Sequence, residues 1–128
     1  MLEGKSPIFI NHTNHHSNTW KDEQRAAAEK YGKIIDIPFP IVNPHYDEVA
    51  IIQLADEKAA TIIAANPTAV LCQGDFSYTY AMINRLKREG ITVLAATSER
   101  QVKEKINSDG TIEKLSTFKF VKFREYRG

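Results

Sequence analysis

The sequence lacks most of what builds a disulfide, a zinc site or a membrane span. It contains one cysteine, Cys72, so neither an internal disulfide nor a cysteine-rich zinc site is available. No apolar run is long enough to cross a bilayer, and no charged segment followed by an apolar one marks a signal peptide. We therefore expect a cytoplasmic protein without membrane contact. Cys72 itself lies in an apolar stretch and is expected to be a small core residue rather than a nucleophile.

The motifs of several common enzyme classes are also missing. The chain has no G-x-G-x-x-G, no P-loop and no G-x-S-x-G sequence. This excludes the usual dinucleotide fingerprint, the Walker-type phosphate site and the nucleophile elbow. We expect no cofactor.

Charge of one sign is not in excess. The chain has 17 basic and 16 acidic residues, a net charge of +1, which argues against general DNA or RNA binding. The charges are unevenly placed, because residues 1–98 hold 9 basic and 11 acidic groups whereas residues 99–128 hold 8 and 5. The basic C-terminal part suits either an anionic ligand or a solvated strand face.

What the sequence does contain is a clear strand, turn and helix at its centre. The apolar run Ala69-Val70-Leu71-Cys72 is followed by Gln73-Gly74-Asp75 and then by a helical pattern. A short unbroken apolar run predicts a strand that is buried on both faces, and Gly74 permits a sharp turn behind it. Ligands of open α/β sheets bind beyond the carboxyl ends of such strands, so we expect a binding site here.

The rest of the chain alternates strand and helix up to about residue 96. The predicted strands are 7–10, 33–37, 69–72 and 91–96, and the predicted helices run from a cap at Asn18 or Thr19 to Gly32, from 46 to 65, and from 76 to 90. At 128 residues this order predicts a single α/β domain, a doubly wound parallel sheet with helices on both faces. A C-terminal antiparallel hairpin, 102–106 and 111–115, and one more strand, 117–126, are expected to extend it. The imperfect alternation in that last strand indicates a bulge.

The spacing of apolar residues predicts which side of two helices faces the sheet. Tyr80 is expected to pack, whereas the pattern leaves the role of Tyr78 open. The predicted buried residues are Val49, Ile52, Ala55, Ala59, Ile62 and Ile63 in the second helix and Phe76, Tyr80, Ile83 and Leu86 in the third.

Three polar segments follow predicted strands and are expected to meet at one edge of the sheet. They are 11–16, 73–75 and 97–100, which together carry amide, hydroxyl, imidazole, carboxylate and guanidinium groups. This mixture suits a polar, anionic ligand. The histidines of the first segment, with Asp75, also allow a metal site, but their spacing fits no helical metal motif, and loop residues that bind nearby backbone are the favoured interpretation.

Several stretches resemble one family. The resemblance is carried by VLCQGDFSYTY (70–80), AATSERQVKEK (95–105) and DGTIEKLSTFKFVKFREY (109–126), with a looser match at INHT (10–13). These stretches resemble small CRISPR-associated proteins of type III systems, related to the CARF (CRISPR-associated Rossmann-fold) group. That family is proposed to consist of ring nucleases that degrade cyclic oligoadenylate messengers.

The resemblance implies a Rossmann-like (CARF-like) domain over residues 1–128 that binds and cleaves cyclic oligoadenylate, cyclic tetra-adenylate first of all. A ribose 2′-hydroxyl would attack its own phosphate without a metal and leave a 2′,3′-cyclic phosphate, which ends the antiviral signal. The symmetry of the ring implies a homodimer with the site on its two-fold axis. Two other functions stay open: a module that binds the ring without cleaving it, and a metal-dependent phosphohydrolase built on His12, His15, His16 and Asp75.

The resemblance also implies roles for particular residues. Arg100 would clamp the phosphate, Gln73 would hold the reacting groups in line, and His12 or Asp75 would transfer the proton, although Asp75 equally suits a helix cap. No metal ligand is assigned. The basic residues near the C-terminus would form a positive rim, unless they are only the solvent face of the hairpin: Lys103, Lys105, Lys119, Lys122 and Arg124. The residues expected to bind substrate are Asn11, Thr13, Gly74, Phe76, Tyr78, Thr97, Ser98 and Lys105.

Overall fold

The computed structural model describes residues 6–128, in which strands and helices alternate up to a long C-terminal pair of strands. The strands are β1 (Ile8–Thr13), β2 (Lys33–Asp36), β3 (Ala69–Gln73), β4 (Thr92–Ile106) and β5 (Ile112–Glu125), and the helices are α1 (Asp22–Glu29), α2 (Glu48–Ala64) and α3 (Phe76–Arg88). A 3₁₀ turn over Ser17–Thr19 precedes α1.

The five strands form one sheet in the order β2-β1-β3-β4-β5. The first four strands are parallel, and β4 and β5 are antiparallel. The predicted mixed α/β architecture with four parallel strands is confirmed. The prediction that residues 69–72 form a strand buried on both faces is confirmed as well, since β3 lies between β1 and β4 and these four residues are buried.

Each face of the sheet packs against its own helices. On one face, called here the α1 face, Phe9, Leu71 and Leu94 pack with Ala28 of α1. On the other face, the α2–α3 face, strand residues pack with α2 and α3, and Cys72 is a fully buried member of this core, as predicted. Successive side chains of a strand point to opposite faces, so the two cores draw on alternate residues of the same strands.

The first strand is longer than the sequence predicts. Instead of ending at Ile10, β1 continues through Asn11, His12 and Thr13, which pair with residues 71–73 of β3. These polar residues extend the strand because β3 supplies hydrogen-bonding partners for their backbone. The consequence is that Asn11 and Thr13 lie on the α1 face, whereas His12 lies on the α2–α3 face.

The C-terminal region differs from the prediction in a similar way. The predicted turn at residues 107–110 is confirmed, but the loop predicted at 97–100 is strand, and the separate C-terminal hairpin and strand are one continuous pair. Residues 97–101 contain no Gly or Pro to interrupt β4, and each has a partner in β5. Beyond Leu94, β4 has no register partner in β3. Residues 98–106 and 112–120 therefore form a two-stranded ribbon, called here the arm.

A bulge at the base of the arm confirms the predicted irregularity of the last strand. Thr97 pairs with Lys122 and Ser98 with Phe120, so Val121 is the extra residue. An extra residue reverses the alternation of the strand beyond it. As a result Phe120 and Phe123 lie on the same face, with ring centroids 5.0 Å apart.

The predicted buried faces of α2 and α3 need correction. Phe76 and Tyr80 are 92% and 72% exposed, and Val49 and Ile52 of α2 are also exposed. The buried residues are Tyr78, Thr79, Met82 and Leu86 in α3 and Ile51, Ala55, Ala59 and Ile62 in α2. The predicted and the observed buried residues of α3 both fit a helical period. The face that is buried is the one that carries Tyr78, because its hydroxyl has a buried hydrogen-bonding partner on the sheet, His12.

The first helix also begins later than predicted. Asn18 and Thr19 lie in the 3₁₀ turn, and α1 starts at Asp22 with Lys21 at its N-cap position and no side-chain cap. Asp22 and Glu23 occupy the first turn and complement the positive end of the helix dipole instead.

Gly74 at the end of β3 is required by close packing. A Cβ atom at this position would lie 2.4 Å from the Phe39 ring, which in turn packs against His12 and Tyr78 with centroid distances of 5.2 and 4.8 Å. Moving the ring away from an added methyl group would disturb its packing against His12 and Tyr78. The turn that opens the carboxyl edge of β3 therefore depends on the missing side chain.

We predict that Gly74→Ala lowers the free energy of unfolding by about 1–3 kcal/mol, the usual cost of overpacking. Urea unfolding measures this change. In a double-mutant cycle Phe39→Leu should reduce the cost of Gly74→Ala, because the smaller side chain removes the clash. Equal costs in the two backgrounds would contradict this explanation.

Candidate functional site

An open cavity of about 560 Å³ lies on the α1 face at the carboxyl ends of β1 and β3. The chain leaves β1 toward β2 at one side of the sheet and leaves β3 toward β4 at the other. Such a topological switch point is where open α/β sheets hold ligands. The lining residues come from the β1–α1 segment, the end of β3 and the β4–β5 pair: Thr13, Asn14, His15, Thr19, Trp20, Lys21, Gln24, Leu71, Gln73, Gly74, Ala96, Ser98, Phe118 and Phe120.

The structure thus brings together members of all three polar segments. Thr13, Gln73 and Ser98 line the same cavity because each lies on the α1 face of its strand. Gln73 also supports the sheet, since its Oε1 accepts a hydrogen bond from the backbone N–H of Ala96. This bond uses the oxygen of the amide, so the amide nitrogen is the part of Gln73 that can donate to a ligand.

The wall next to β1 is held by buried polar side chains. Asn11 is 2% exposed, and its Nδ2 donates to the carbonyl oxygen of His15 at 2.8 Å. The hydroxyl of Thr13 donates to Oδ1 of Asn11 at 2.9 Å. Asn11 is therefore a positioning residue that fixes the backbone from which His15 enters the cavity.

Asp36 anchors the same wall and was not identified from the sequence. Its carboxylate accepts hydrogen bonds from Asn11 Nδ2 at 2.7 Å and from the backbone N–H and hydroxyl of Ser17 at 2.9 and 2.6 Å, and His16 Nε2 lies 3.4 Å away. Burial alone would raise the pKa of this carboxyl, but the hydrogen bonds from Ser17 and Asn11 outweigh burial and lower it. The pairing of β1 with β2 brings Asp36 beside Asn11.

His12 lies outside the cavity. It is fully buried on the α2–α3 face, with Nδ1 2.8 Å from the carbonyl oxygen of Ile37 and Nε2 2.7 Å from the hydroxyl of Tyr78. A carbonyl only accepts, so Nδ1 carries the proton and Nε2 accepts from Tyr78. Burial lowers the pKa of His12, against a smaller opposing effect of the Ile37 carbonyl. Its position is that of a neutral packing residue.

The other predicted residues near α3 also lie away from the cavity. Asp75 caps α3 by accepting a hydrogen bond from the backbone N–H of Tyr78 at 3.0 Å. Of the two roles considered for Asp75, proton transfer and helix cap, the structure shows the helix cap. Tyr78 is buried against His12, and burial raises the pKa of its hydroxyl. Phe76 is exposed on α3. Only Gly74 and Gln73 of this region line the cavity.

The arm presents different residues on its two sides. Directly paired residues of antiparallel strands share a face, so Arg100, paired with Phe118, is on the cavity side. Its Nε and Nη2 donate to Ser116 Oγ at 3.1 and 2.8 Å, just outside the cavity lining. Lys105 alternates to the other side and pairs with Glu113. The positive rim expected from the C-terminal lysines is thus largely a solvent face.

Thr97 has a structural partner as well. Its hydroxyl donates to the backbone carbonyl oxygen of Lys122 at 2.8 Å and so bridges the bulge. It does not line the cavity, whereas its neighbour Ser98 does. The reason is that β4 continues through both residues, so the side chains of Thr97 and Ser98 point to opposite faces of the strand.

The side chains considered for a metal site have no common centre. His12 faces Tyr78, His16 faces Asp36, and Asp75 caps α3. Within residues 6–128 no group of three or more His, Cys, Asp or Glu side chains is arranged to hold a metal ion.

Sequence reasoning missed the aromatic part of the cavity. Trp20 lies before α1 and lines the cavity together with Lys21 and Gln24. Phe118 and Phe120 form the facing wall on β5. The sequence does indicate that Trp20 lies near the cavity, because Trp20 belongs to the same segment after β1 as His15.

These observations define a mixed α/β protein with an open, aromatic and polar cavity at the switch point of its sheet. The family described as the Uncharacterized protein MJ1673 family matches residues 7–124, and the chain belongs to this family. No curated protein and no solved structure matches the chain. None of the helices in the part of the chain that the structure describes is long and apolar enough to cross a membrane.

We predict that the free energy of unfolding falls as the pH drops below about 6.5, the ordinary pKa of histidine. The folded pKa of His12 is lowered, so between the two pKa values the unfolded state binds more protons and acid favours unfolding. Urea unfolding at pH 7.5 and 5.5 measures the effect. The fall in the free energy of unfolding should be smaller in His12→Gln than in the wild-type protein. It should persist in the control His45→Gln, because His45 is exposed. An unchanged fall in His12→Gln would contradict the assignment of this effect to His12.

Proposed function

We propose that this protein binds a cyclic oligoadenylate in the cavity on the α1 face and cleaves it. The observation that supports the proposal best is the lining of that cavity, which combines aromatic rings with amide, hydroxyl and basic groups. Nucleotides need such a combination, because a base stacks on aromatic rings while ribose and phosphate need polar and positive partners. The choice of a cyclic oligoadenylate comes from the resemblance to type III CRISPR-associated proteins. On this proposal the sheet is a Rossmann-like, CARF-like domain.

The reaction is an internal transesterification. The 2′-oxygen of a ribose attacks the adjacent phosphorus, the bond from phosphorus to the 5′-oxygen of the next nucleotide breaks, and the ring opens with a 2′,3′-cyclic phosphate and a 5′-hydroxyl end. Orientation and charge stabilisation supply most of the acceleration. Gln73 and Ser98 hold the ribose and phosphate in line. Arg100, on the cavity side of the arm, stabilises the charge that develops on the phosphoryl oxygens.

In the proposed mechanism His15 takes over the proton transfer first assigned to His12. His15 lines the cavity, and its backbone is held by Asn11 and Thr13. An imidazole can take the 2′-proton or supply a proton to the leaving 5′-oxygen near neutral pH. His12 and Asp75 keep their structural roles.

The active assembly in this proposal is a homodimer that holds the ring between two copies. A cavity of about 560 Å³ is the size of one small-molecule site, whereas a cyclic tetra-adenylate has four nucleotides related by symmetry. The cavity side of the arm carries exposed apolar residues that a second copy would cover. By register they are Val102, Ile106 and Ile112, between 52% and 76% exposed. Two phenylalanines on this face have other neighbours, because Phe118 lines the cavity and Phe123 packs against Phe9.

A second candidate is a module that binds the ring without cleaving it. The burial of His12 and the capping role of Asp75 favour this candidate, since they remove two of the groups expected to transfer protons. Incubation with labelled ring, followed by denaturation, separates the two functions, because a binder returns the ring intact. Cleavage of the ring would switch off type III antiviral signalling, whereas a binding module would sequester or sense the ring.

We predict that the protein opens cyclic tetra-adenylate in the presence of excess EDTA. The nucleophile is part of the substrate, so no metal-activated water is required. Mass spectrometry of the products should detect 2′,3′-cyclic phosphate ends. Complete inhibition by EDTA that added manganese or zinc reverses, with ordinary phosphate ends, would reject this mechanism.

We predict that Arg100→Ala slows cleavage about a hundredfold or more, the usual effect of removing one donor to a developing oxyanion. Arg124→Ala is the matched control, because Arg124 is an exposed arginine of β5 on the face away from the cavity. Arg124 pairs with Ala95, and the next residue of β4, Ala96, lines the cavity from the opposite face. Arg124→Ala should retain wild-type turnover. Single-turnover cleavage of labelled ring by both variants, with their thermal unfolding, measures the difference. Equal rates in the two variants would remove Arg100 from the site.

A further inference from the structure

We propose that Trp20 and Phe118 form a clamp that holds one adenine base between the β1–α1 segment and the arm. Gln24, on the same wall as Trp20, binds the edge of that base. This inference rests on the proposed function for the identity of the ligand. It adds a site for base recognition formed by three residues that have no role in the cleavage chemistry.

Trp20 is the first wall of the clamp. It is half-buried and lines the cavity. Phe9 meets its ring nearly at right angles, with centroids 6.2 Å apart and an interplanar angle of 82°. This contact fixes the indole plane before a ligand arrives, which reduces the entropy lost on binding.

Phe118 is the second wall and comes from a different element. It is 67% exposed although it lines the cavity, and its backbone is paired with Arg100 across the arm. Such an exposed aromatic ring at the mouth of a cavity is available to stack on a planar ligand. Because Trp20 and Phe118 lie on separate elements, a base can enter between them without unpacking either core.

Gln24 supplies specificity. A glutamine side chain can bind N6 and N7 of adenine at once, and pyrimidines lack this N7 edge. Gln24 lies on α1 close to Trp20 in the chain and lines the same cavity. Lys21, between them in the sequence, is the positive group that can contact the attached phosphate. The first turn of α1 itself carries Asp22 and Glu23, so the phosphate is expected at Lys21 and not at the helix end.

The fluorescence of Trp20, the single tryptophan of the chain, tests the clamp directly. Titration with adenosine 5′-monophosphate should change its emission, whereas ribose 5-phosphate at the same concentration should not. Cytidine 5′-monophosphate should require a higher concentration, and Gln24→Ala should reduce the difference between the two nucleotides. An equal response to ribose 5-phosphate, or no response to any of these ligands, would overturn the clamp.

Variants separate the clamp from the proposed cleavage. Phe118→Ala should weaken binding of adenosine 5′-monophosphate about 5- to 150-fold, the range for losing one stacked base. Phe76→Ala removes an exposed phenylalanine of α3 outside the cavity and should bind normally. If Phe118→Ala binds the nucleotide and cleaves the ring as Phe76→Ala does, the clamp is wrong and the ring nuclease stands. If the nucleotide responses appear but the ring stays intact, the clamp stands and the cleavage is wrong.

Discussion

The alternation of side chains along β1 and β3 is the constraint on which the rest of the molecule depends. These two central strands are paired from Phe9 to Thr13 and from Ala69 to Gln73, so residues of one parity lie on the α1 face throughout. Phe9 and Leu71 form its core, and Thr13 and Gln73 continue the same rows into the cavity. The opposite rows end in His12 and Cys72, which belong to the α2–α3 core. In each of the two strands, one residue therefore lines the cavity while the residue next to it belongs to a buried core.

Two hydrogen-bonded groups hold the segments that border the cavity. Asp36 at the end of β2 holds Asn11 and Ser17, and through Asn11 it fixes the backbone of His15. On the other side, Gln73 bonds to Ala96 near the point where the pairing of β3 with β4 ends. Charged hydrogen bonds such as those of Asp36 contribute about 1.5–3 kcal/mol each. The bulge at Val121 then lets the aromatic residues of the arm face the cavity.

The fold follows from the sequence more completely than the site does. Apolar runs, Gly74 and the turn at residues 107–110 predict the succession of strands and helices along the chain and the turn of the hairpin, because these signals are local. The extension of β1 through Asn11-His12-Thr13 and the continuity of β4 through Thr97–Arg100 depend on pairing with distant strands, which no local pattern contains. Those two extensions decide which of Asn11, His12, Thr97 and Ser98 faces the cavity. The rotation of α3 depends in the same way on one buried partner, His12, for the hydroxyl of Tyr78.

The central claim is that the ligand binds on the α1 face, between the ends of β1 and β3 and the arm. The most direct measurement is a two-dimensional NMR titration of the ¹⁵N-labelled protein with cyclic tetra-adenylate. We predict shifts of the backbone amides of Thr13, Gly74 and Ser98, and of the indole N–H of Trp20, with little change at Tyr80 and Asn84 in the groove between α2 and α3. Shifts confined to that groove, or no shifts at all, would contradict it.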